Sequence, residues 1–244
     1  MVDGSLIASS IAASAAAGLF LAAGLGLRQR SVSRDATDAA QLMSIWWLGL
    51  SLHALAGASI DLLAALETAP ARVVLALSYM RIVALAIGLW GLGYHVAYIL
   101  TGRSRLLFPL AALFAGYYAV LVFLLTLGSP QDVIVDPVPR LAYAAPVVDP
   151  RVLGALLAVP PLAAAATYLL LYRQAEHASQ RVRLVLVAGA TFAWFLAALA
   201  RDASLSNVWP SILLGLTAAV AVGWAYRPPE WLERLLRASA PSAR

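Results

Sequence analysis

Residues 73–105 read VVLALSYMRIVALAIGLWGLGYHVAYILTGRSR, and this stretch decides the fold. Its apolar part is longer than the roughly 20 residues that a helix needs to cross a bilayer. It nevertheless carries Arg81 within the apolar part and His95 towards its end. An arginine at the centre of a membrane helix costs roughly 2.5–3.5 kcal/mol, so it normally faces the protein interior and has a partner there. We therefore expect a membrane-spanning helix in a bundle, with any functional site near Arg81.

The composition of the chain is that of an integral membrane protein. Of the 244 residues, 62% are hydrophobic and only 12% are charged, whereas soluble domains carry about 25% charged residues. Cysteine is absent, which excludes disulfides and thiolate metal sites. All 17 basic residues are arginine, so no lysine is present to hold retinal as a Schiff base.

Seven apolar blocks predict an all-α membrane fold, a bundle of seven transmembrane helices. The blocks cover about residues 6–27, 39–66, 73–100, 106–127, 152–171, 184–200 and 208–226. Residues 1–227 are thus expected to form one transmembrane domain, followed by a cytoplasmic tail at 228–244.

The arginines are unequally distributed between the two sides of this predicted bundle. Those in the tail and in the loops after the first, third and fifth blocks outnumber those on the opposite side, which are Arg72, Arg140, Arg151 and Arg201. Because short cytoplasmic loops are rich in basic residues, we expect the N-terminus outside and the C-terminus in the cytoplasm. The expected location is the inner (plasma) membrane of a prokaryote.

Two segments outside the spans also have a readable pattern. In the long loop at 128–150, the runs 133–135 and 141–143 alternate as the strands of a short hairpin do. In the tail, the sequence EWLERLLR at 230–237 predicts an amphipathic helix lying at the cytoplasmic interface. Its apolar face would carry Trp231, Leu232, Leu235 and Leu236, and its polar face Glu230, Glu233, Arg234 and Arg237.

Asp61 in the second block and Arg81 in the third lie at similar estimated depths below the outer surface. Consecutive elements are usually neighbours in space, so we expect the two side chains to form an ion pair. This pair would be either a structural bridge or the floor of an outward-facing cavity that binds a polar or anionic ligand. The other side chains expected at the mouth of that cavity are Tyr79, Tyr143, Arg201 and Asp202.

His53 and His95 are the histidines within the predicted spans. Two axial haem ligands must face each other at one depth, and these two positions are at different depths, which disfavours haem. We expect each histidine to form a hydrogen bond between helices or to act as a proton- or polar-switch, because histidine titrates near physiological pH.

Motifs of catalysis are missing from the sequence. It contains no HExxH, no GxSxG and no paired aspartates of an intramembrane protease. Ser51, Ser59 and Ser78 lie within spans, where a serine usually bonds to its own helix. We therefore expect no enzymatic activity, no catalytic residues and no metal site.

Aromatic residues are concentrated in the middle blocks. They are Trp90, Tyr94, Tyr98, Tyr117, Tyr118 and Trp194. Such residues either pack between helices and at the interfaces or form a pocket for an apolar ligand such as a lipid, quinone or carotenoid.

The predicted topology and two short motifs resemble those of a known family. The motifs are YILTGR at 98–103, after the third span, and LTLGSPQ at 125–131, leading into the outer loop. Over blocks two to five the chain resembles the seven-transmembrane sensory modules at the N-terminus of some bacterial and archaeal histidine kinases. The resemblance implies signal perception through the spans, and because the chain ends soon after the seventh block we expect no kinase domain. The topology also resembles that of rhodopsins, without the lysine.

These observations favour a non-enzymatic, sensor-like or ligand-binding module, or an accessory subunit of a membrane assembly. A small-molecule transporter or channel is the first alternative, and a lipid- or pigment-binding membrane protein is the second. The expected partners are the lipid bilayer and a second copy or another membrane protein, not a nucleic acid. No cofactor is expected; haem is disfavoured, and a non-covalent lipid or pigment is compatible with this interpretation.

Overall fold

A computed structural model describes residues 4–31, 37–66, 70–102, 116, 130–134, 140–143, 150–203 and 208–238. The helices within these ranges are α1 (Gly4–Ser31), α2 (Thr37–Ala65), α3 (Ala71–Thr101), α4 (Pro150–Gln174), α5 (Ala178–Ala203), α6 (Trp209–Tyr226) and α7 (Glu230–Ala238). Strands β1 (Pro130–Ile134) and β2 (Arg140–Tyr143) lie between α3 and α4. The fourth predicted span, 106–127, lies outside the described residues except for Gly116.

Five of the described helices are long and apolar enough to cross a membrane. The qualifying stretches are Gly4–Gln29, Ala39–Ala65, Arg72–Thr101, Ala178–Ala200 and Trp209–Tyr226. They coincide with predicted spans one, two, three, six and seven, and they are the helices of a membrane protein, as the composition indicates. Helix α4 coincides with the fifth predicted span and continues through Pro160 and Pro161.

The described helices pack against one another in a closed ring. Each of α1 to α5 contacts the next, and α6 contacts α1. Hydrogen bonds from Ser51 to the Ala17 carbonyl and from Ser10 to the Ala58 carbonyl show that α1 and α2 are antiparallel. Each helix of this ring therefore contributes residues to its interior.

The contact between α2 and α3 depends on glycines. A Cβ atom on Gly49 would lie 2.7 Å from the Cα of Gly88 and 2.8 Å from the carbonyl oxygen of Ala84. Real Cβ atoms do not approach backbone atoms so closely, so a larger residue would push the two helices apart. Small residues have this role in many membrane helix pairs.

A layer of large side chains fills the ring next to this contact. Trp46, Trp47, Leu50 and Leu92 have no exposed surface, and Phe20 is 2% exposed. The Phe20 and Trp47 rings stack with centroids 5.7 Å apart. We call these five residues the aromatic layer; it closes the centre of the bundle about halfway along α2.

Two predictions about the connections have different outcomes. The predicted hairpin is confirmed, since β1 and β2 pair antiparallel with Val133 opposite Leu141. The ends of the fifth and sixth predicted blocks, at 171 and 184, are not the ends of the helices, because α4 continues to Gln174 and α5 begins at Ala178. The physical reason is that a helix keeps its backbone hydrogen bonds beyond the apolar core while its long polar side chains reach towards water.

Candidate ligand-binding site

A cavity of about 110 Å³ lies inside the ring, lined by residues of α1, α2, α3, α5 and α6. Alanines on α1 and α5 account for much of its surface, and their small side chains leave the space open. Its polar lining consists of Ser9, His53, Arg81 and Ser211. An apolar hollow with a few polar side chains is the usual form of a small-molecule site.

His53 and Arg81 contact each other through two hydrogen bonds at this cavity. Arg81 Nε donates to His53 Nε2 at 3.3 Å, and His53 Nδ1 lies 3.1 Å from the Arg81 carbonyl oxygen. Because Nε2 accepts, the proton of the neutral imidazole is assigned to Nδ1, which donates to the carbonyl. The prediction that His53 bonds to another helix is confirmed, although sequence reasoning missed Arg81 as its partner.

Gly57 leaves room for the arginine side chain on the surface of α2. A Cβ atom on Gly57 would lie 3.6 Å from Arg81 Nε and 3.7 Å from Arg81 Cζ. His53, Gly57 and Asp61 follow at intervals of four, so they share one face of α2. That spacing is the sequence signal from which the contact of Arg81 with this face of α2 was predictable.

Asp61 is the buried acid of the described part of α2. It is 1% exposed, and Ser9 Oγ donates to its Oδ2 at 2.6 Å. This distance is that of a well-formed O–H···O hydrogen bond. Ser9 therefore connects the acid of α2 to α1 at the edge of the cavity.

Arg81 contacts α2 at positions that lie deeper in the bundle than Asp61. It contacts positions 53 and 57, which lie one to two turns below Asp61 on the same face of α2. The direct ion pair between Arg81 and Asp61 stays a prediction. Tyr79 is partly buried on α3, and the side chains of Tyr143, Arg201 and Asp202 lie outside those that the structure describes.

The serines of the spans divide between two kinds of hydrogen bond. Ser59 Oγ donates to the Leu55 carbonyl of its own helix at 3.0 Å, as expected. The same expectation is wrong for Ser51, whose Oγ donates to the Ala17 carbonyl of α1 at 2.9 Å. Ser51 lies where α1 and α2 are close together, so a carbonyl of the neighbouring helix is within its reach.

His95 lies near the opposite end of the bundle from the cavity. Its Nδ1 is 2.9 Å from the Ala39 carbonyl oxygen of α2, and its ring centroid is 6.0 Å from that of Tyr168 on α4. Tyr168 donates its hydroxyl to the sulfur of Met43 at 3.4 Å. His95 is thus also a helix-to-helix hydrogen-bonding residue, as predicted, and it belongs to a different cluster from His53.

The aromatic residues named from the sequence separate into different places. Trp194 lines the cavity, with its ring centroid 6.0 Å from His53 and 5.2 Å from Trp46. Trp90 and Tyr94 stack on each other along α3 at 5.9 Å. Tyr98 is partly buried on α3, whereas Tyr117 and Tyr118 lie outside the described residues. Among the members of this group that the structure describes, only Trp194 lines the cavity.

The tryptophan behind Trp194 has an unsatisfied donor. The Trp46 indole N–H is fully buried and has no hydrogen-bond partner among the described residues. A buried donor without a partner costs about 1–3 kcal/mol. The Trp46 ring packs against Trp194, which lines the cavity. A polar N–H group is therefore buried close behind the alanine-rich lining of the cavity.

The described residues do not bring three histidine, aspartate or glutamate side chains together in a way that would hold a metal ion. No family model matches the chain, and no curated protein matches it.

Proposed function

We propose that this chain is a non-enzymatic, sensor-like seven-helix membrane protein that binds a small polar or anionic ligand inside its bundle. The observation that carries the proposal is the position of the paired Arg81 and His53 side chains at a cavity within the membrane-spanning helices. A charged side chain in that environment is costly, and proteins generally retain one for a functional reason.

The dimensions of the cavity favour a ligand of only a few heavy atoms. A volume of about 110 Å³ corresponds to roughly four waters at ~30 Å³ each. Arg81 offers donors in a planar arrangement that suits a carboxylate or a similar oxyanion. Ser9 and Ser211 already donate to Asp61 and to the Val208 carbonyl, so towards the cavity they offer acceptor lone pairs. Small oxyanions that also carry a hydroxyl, such as hydrogen carbonate, fit both kinds of group.

Binding at Arg81 would change the contact between two helices. The Arg81 side chain connects α3 to α2 through His53 Nε2, and an anion that accepts from the guanidinium competes for that donor. Protonation of His53 removes the same acceptor lone pair and places two cations side by side. Either event alters the α2–α3 contact, which is what a sensor-like module requires.

The aromatic layer favours a binding site rather than a channel. Trp46, Trp47 and Leu50 fill the centre of the ring without exposed surface, directly beyond Phe20 and Trp194 at the base of the cavity. A continuous pore needs an open path past these side chains. The channel alternative therefore has less support than ligand binding.

The relative directions of the helices support seven spans. His95 and Tyr168 are in contact, and each lies close to the C-terminal end of its helix, so α3 and α4 are parallel. A chain that leaves α3 at one face and enters α4 at the other must return across the bilayer, which is the role we propose for residues 106–127. With the N-terminus outside, as the arginines indicate, the cavity lies in the outer half of the bundle.

The test is a titration of purified protein in detergent with formate, acetate and hydrogen carbonate. Thermal unfolding reports binding, and a 100-fold excess over Kd stabilises by roughly 2.7 kcal/mol, which is roughly 5–10 °C for a chain of this size. Intrinsic fluorescence provides a second signal because Trp194 lines the cavity. We expect one of these anions to give saturation in both measurements.

Two variants and a matched control make this test specific. Arg81→Gln removes the proposed anion-binding group, and Ala198→Leu fills the cavity while it leaves Arg81 in place. Ala166→Leu adds the same side chain on the exposed side of α4. We expect both cavity variants to lose the response and the control to keep it. Saturation that survives in Ala198→Leu, or uptake of the anion into proteoliposomes, would contradict the binding proposal and favour another site or transport.

A further inference from the structure

A second hollow, a groove of about 650 Å³, lies at the other end of the bundle. It is formed by the last three turns of α1, from Leu19 to Gln29, and by the end of α6, from Gly223 to Arg227. It shares no lining residue with the cavity at Arg81. We call it the α1–α6 groove.

The length of this groove matches one leaflet of a bilayer. The ten-residue separation of Leu19 and Gln29 corresponds to about 15 Å along a helix, which is half of the roughly 30 Å hydrocarbon core. Its inner part is apolar, with Leu19, Ala22, Ala23 and Leu27 on the α1 side. A transmembrane helix of a partner needs a contact surface along both leaflets, and the groove does not extend that far.

The end of the groove at the C-termini of α1 and α6 is polar and basic. Gln29 and Arg227 lie there, and none of the described lining residues is acidic. Arg227 follows the last residue of α6, and its backbone N–H donates to the Gly223 carbonyl at 2.8 Å. This bond fixes the start of the side chain at the rim, at the depth where phospholipid headgroups lie.

We propose that the α1–α6 groove is a binding site for one anionic phospholipid. An acyl chain lies along the apolar residues of α1, and the phosphate accepts hydrogen bonds from Arg227 and Gln29. The net negative headgroup is favoured because Arg227 supplies positive charge at the rim and the described lining residues include no acid.

The tail helix lies beside the same site. Trp231 of α7 contacts Trp224, a lining residue, with ring centroids 5.6 Å apart and the planes at 88°. Because α7 begins directly after Pro228 and Pro229, it starts at the headgroup end of the groove. A lipid in the groove therefore shares a boundary with α7, and both belong to the interfacial layer.

Native mass spectrometry of the full chain tests this site. The protein is purified in a mild detergent and offered equal amounts of phosphatidylglycerol, which is anionic, and phosphatidylcholine, which is zwitterionic. We expect preferential retention of one phosphatidylglycerol. Arg227→Gln should lower that preference about tenfold, the equivalent of one charge-assisted hydrogen bond. Gly26→Leu should abolish retention of both lipids, because the new side chain enters the groove.

The chain supplies a matched control for each variant. Gly18 also lies on α1 with nothing within 4 Å of an added Cβ, but it does not line the groove, so Gly18→Leu should bind lipid normally. Arg173 is an exposed arginine at the end of α4, and Arg173→Gln should keep the headgroup preference. Equal retention by the two leucine variants, or equal preference in the two glutamine variants, would overturn the proposal. So would a loss of dimers instead of lipid in Gly26→Leu, which would identify a protein interface.

Discussion

At the scale of single residues, the buried carboxylate of Asp61 is the group whose environment matters most for stability. Ser9 donates to it at 2.6 Å, while the next serine, Ser10, donates to the neutral Ala58 carbonyl at 2.9 Å. Both serines are buried on α1 and both bond to α2. The pair therefore compares a hydrogen bond to a carboxylate with one to an amide in nearly the same place.

We predict that Ser9→Ala destabilises the protein more than Ser10→Ala does. A hydrogen bond to a charged group is worth about 1.5–3 kcal/mol, against about 1 kcal/mol for a neutral one. Thermal unfolding in detergent should show the difference as a few degrees, since 1 kcal/mol shifts the Tm of such a chain by roughly 2–4 °C. An equal loss in the two variants would contradict the prediction that the bond from Ser9 to Asp61 is the stronger of the two.

The second prediction at this scale concerns the ion pair of Arg81 and Asp61. If the pair exists, Arg81→Leu and Asp61→Leu each leave an uncompensated buried charge, at a cost of about 3–5 kcal/mol. The double variant removes both charges and should recover much of the loss. The measurement is a double-mutant cycle from the Tm of wild type, both single variants and the double variant.

Additive losses in this cycle would show that Arg81 and Asp61 do not interact. In that case a cycle between Arg81→Leu and His53→Leu should show the coupling instead, because Arg81 Nε contacts His53 Nε2. The two cycles together identify the polar group that compensates the arginine.

At the scale of helices, the α2–α3 pair is held close together by the glycine contact between Gly49 and Gly88. We predict that Gly49→Ala destabilises by about 1–3 kcal/mol, the usual cost of overpacking, because the new Cβ meets backbone atoms rather than a movable side chain. Gly18→Ala is the control, since it adds the same methyl group to α1 with nothing within 4 Å. Chemical or thermal unfolding of the two variants measures the difference.

Equal stability of Gly49→Ala and Gly18→Ala would show that α2 and α3 separate at little cost. In the proposed function, ligand binding at Arg81 would then change the α2–α3 contact by separating the two helices. A large loss instead means that the contact is rigid and that the change at Arg81 is transmitted by rotation of the helices rather than by their separation.

The existence of the described helices was predictable from the sequence, but their ends and some of their contacts were not. An apolar run marks the part of a helix inside the hydrocarbon core, so spans one, two, three, six and seven were found. Helix α5 begins at Ala178, six residues before the apolar run at Leu184, because backbone hydrogen bonding continues into the polar layer. Apolarity carries no information about that extension.

The candidate site shows the same limit. Arg81, Asp61 and His53 were named from the sequence because polar residues in a membrane span are few. The contact of Arg81 with His53 was not named, because the depths were estimated from the ends of the apolar runs and placed Arg81 level with Asp61 rather than with His53. Counted from Ala71, Arg81 lies about 15 Å into the helix and reaches positions 53 and 57 of α2. Gly57 has no side chain, so only its spacing of four residues from both His53 and Asp61 indicated that it shares the face of α2 that Arg81 contacts.

At the scale of the whole molecule, the cavity at Arg81 and the α1–α6 groove lie on opposite sides of the aromatic layer within the described part of the bundle. The cavity at Arg81 is small, polar and lined by five helices, whereas the α1–α6 groove is larger, mostly apolar and open between two helices. Because Trp46, Trp47 and Leu50 are fully buried between them, the two sites are separated by side chains that move only if helices move. A ligand in one hollow therefore affects the other only through the packing of the helices.

The number and direction of the spans form the last prediction. The cavity is lined by the first half of both α1 and α6, and the groove by the last residues of both, so these two helices are parallel. The contact between His95 and Tyr168 makes α3 and α4 parallel as well. The parallel directions of α1 and α6 require one crossing in addition to the described helices, and those of α3 and α4 place it between these two. The run 106–127 is the only apolar run of sufficient length there.

Reporter fusions measure this directly. We expect fusions after Arg34, Arg105 and His177 to report the cytoplasm, and fusions after Asp149 and Ala203 to report the outside, because basic residues are retained on the cytoplasmic side. If 106–127 did not cross, the fusions after Arg105 and Asp149 would report the same side and α4 would run antiparallel to α3. That result would contradict the ring of helices as well as the count, because His95 and Tyr168 could not then meet near the ends of their helices.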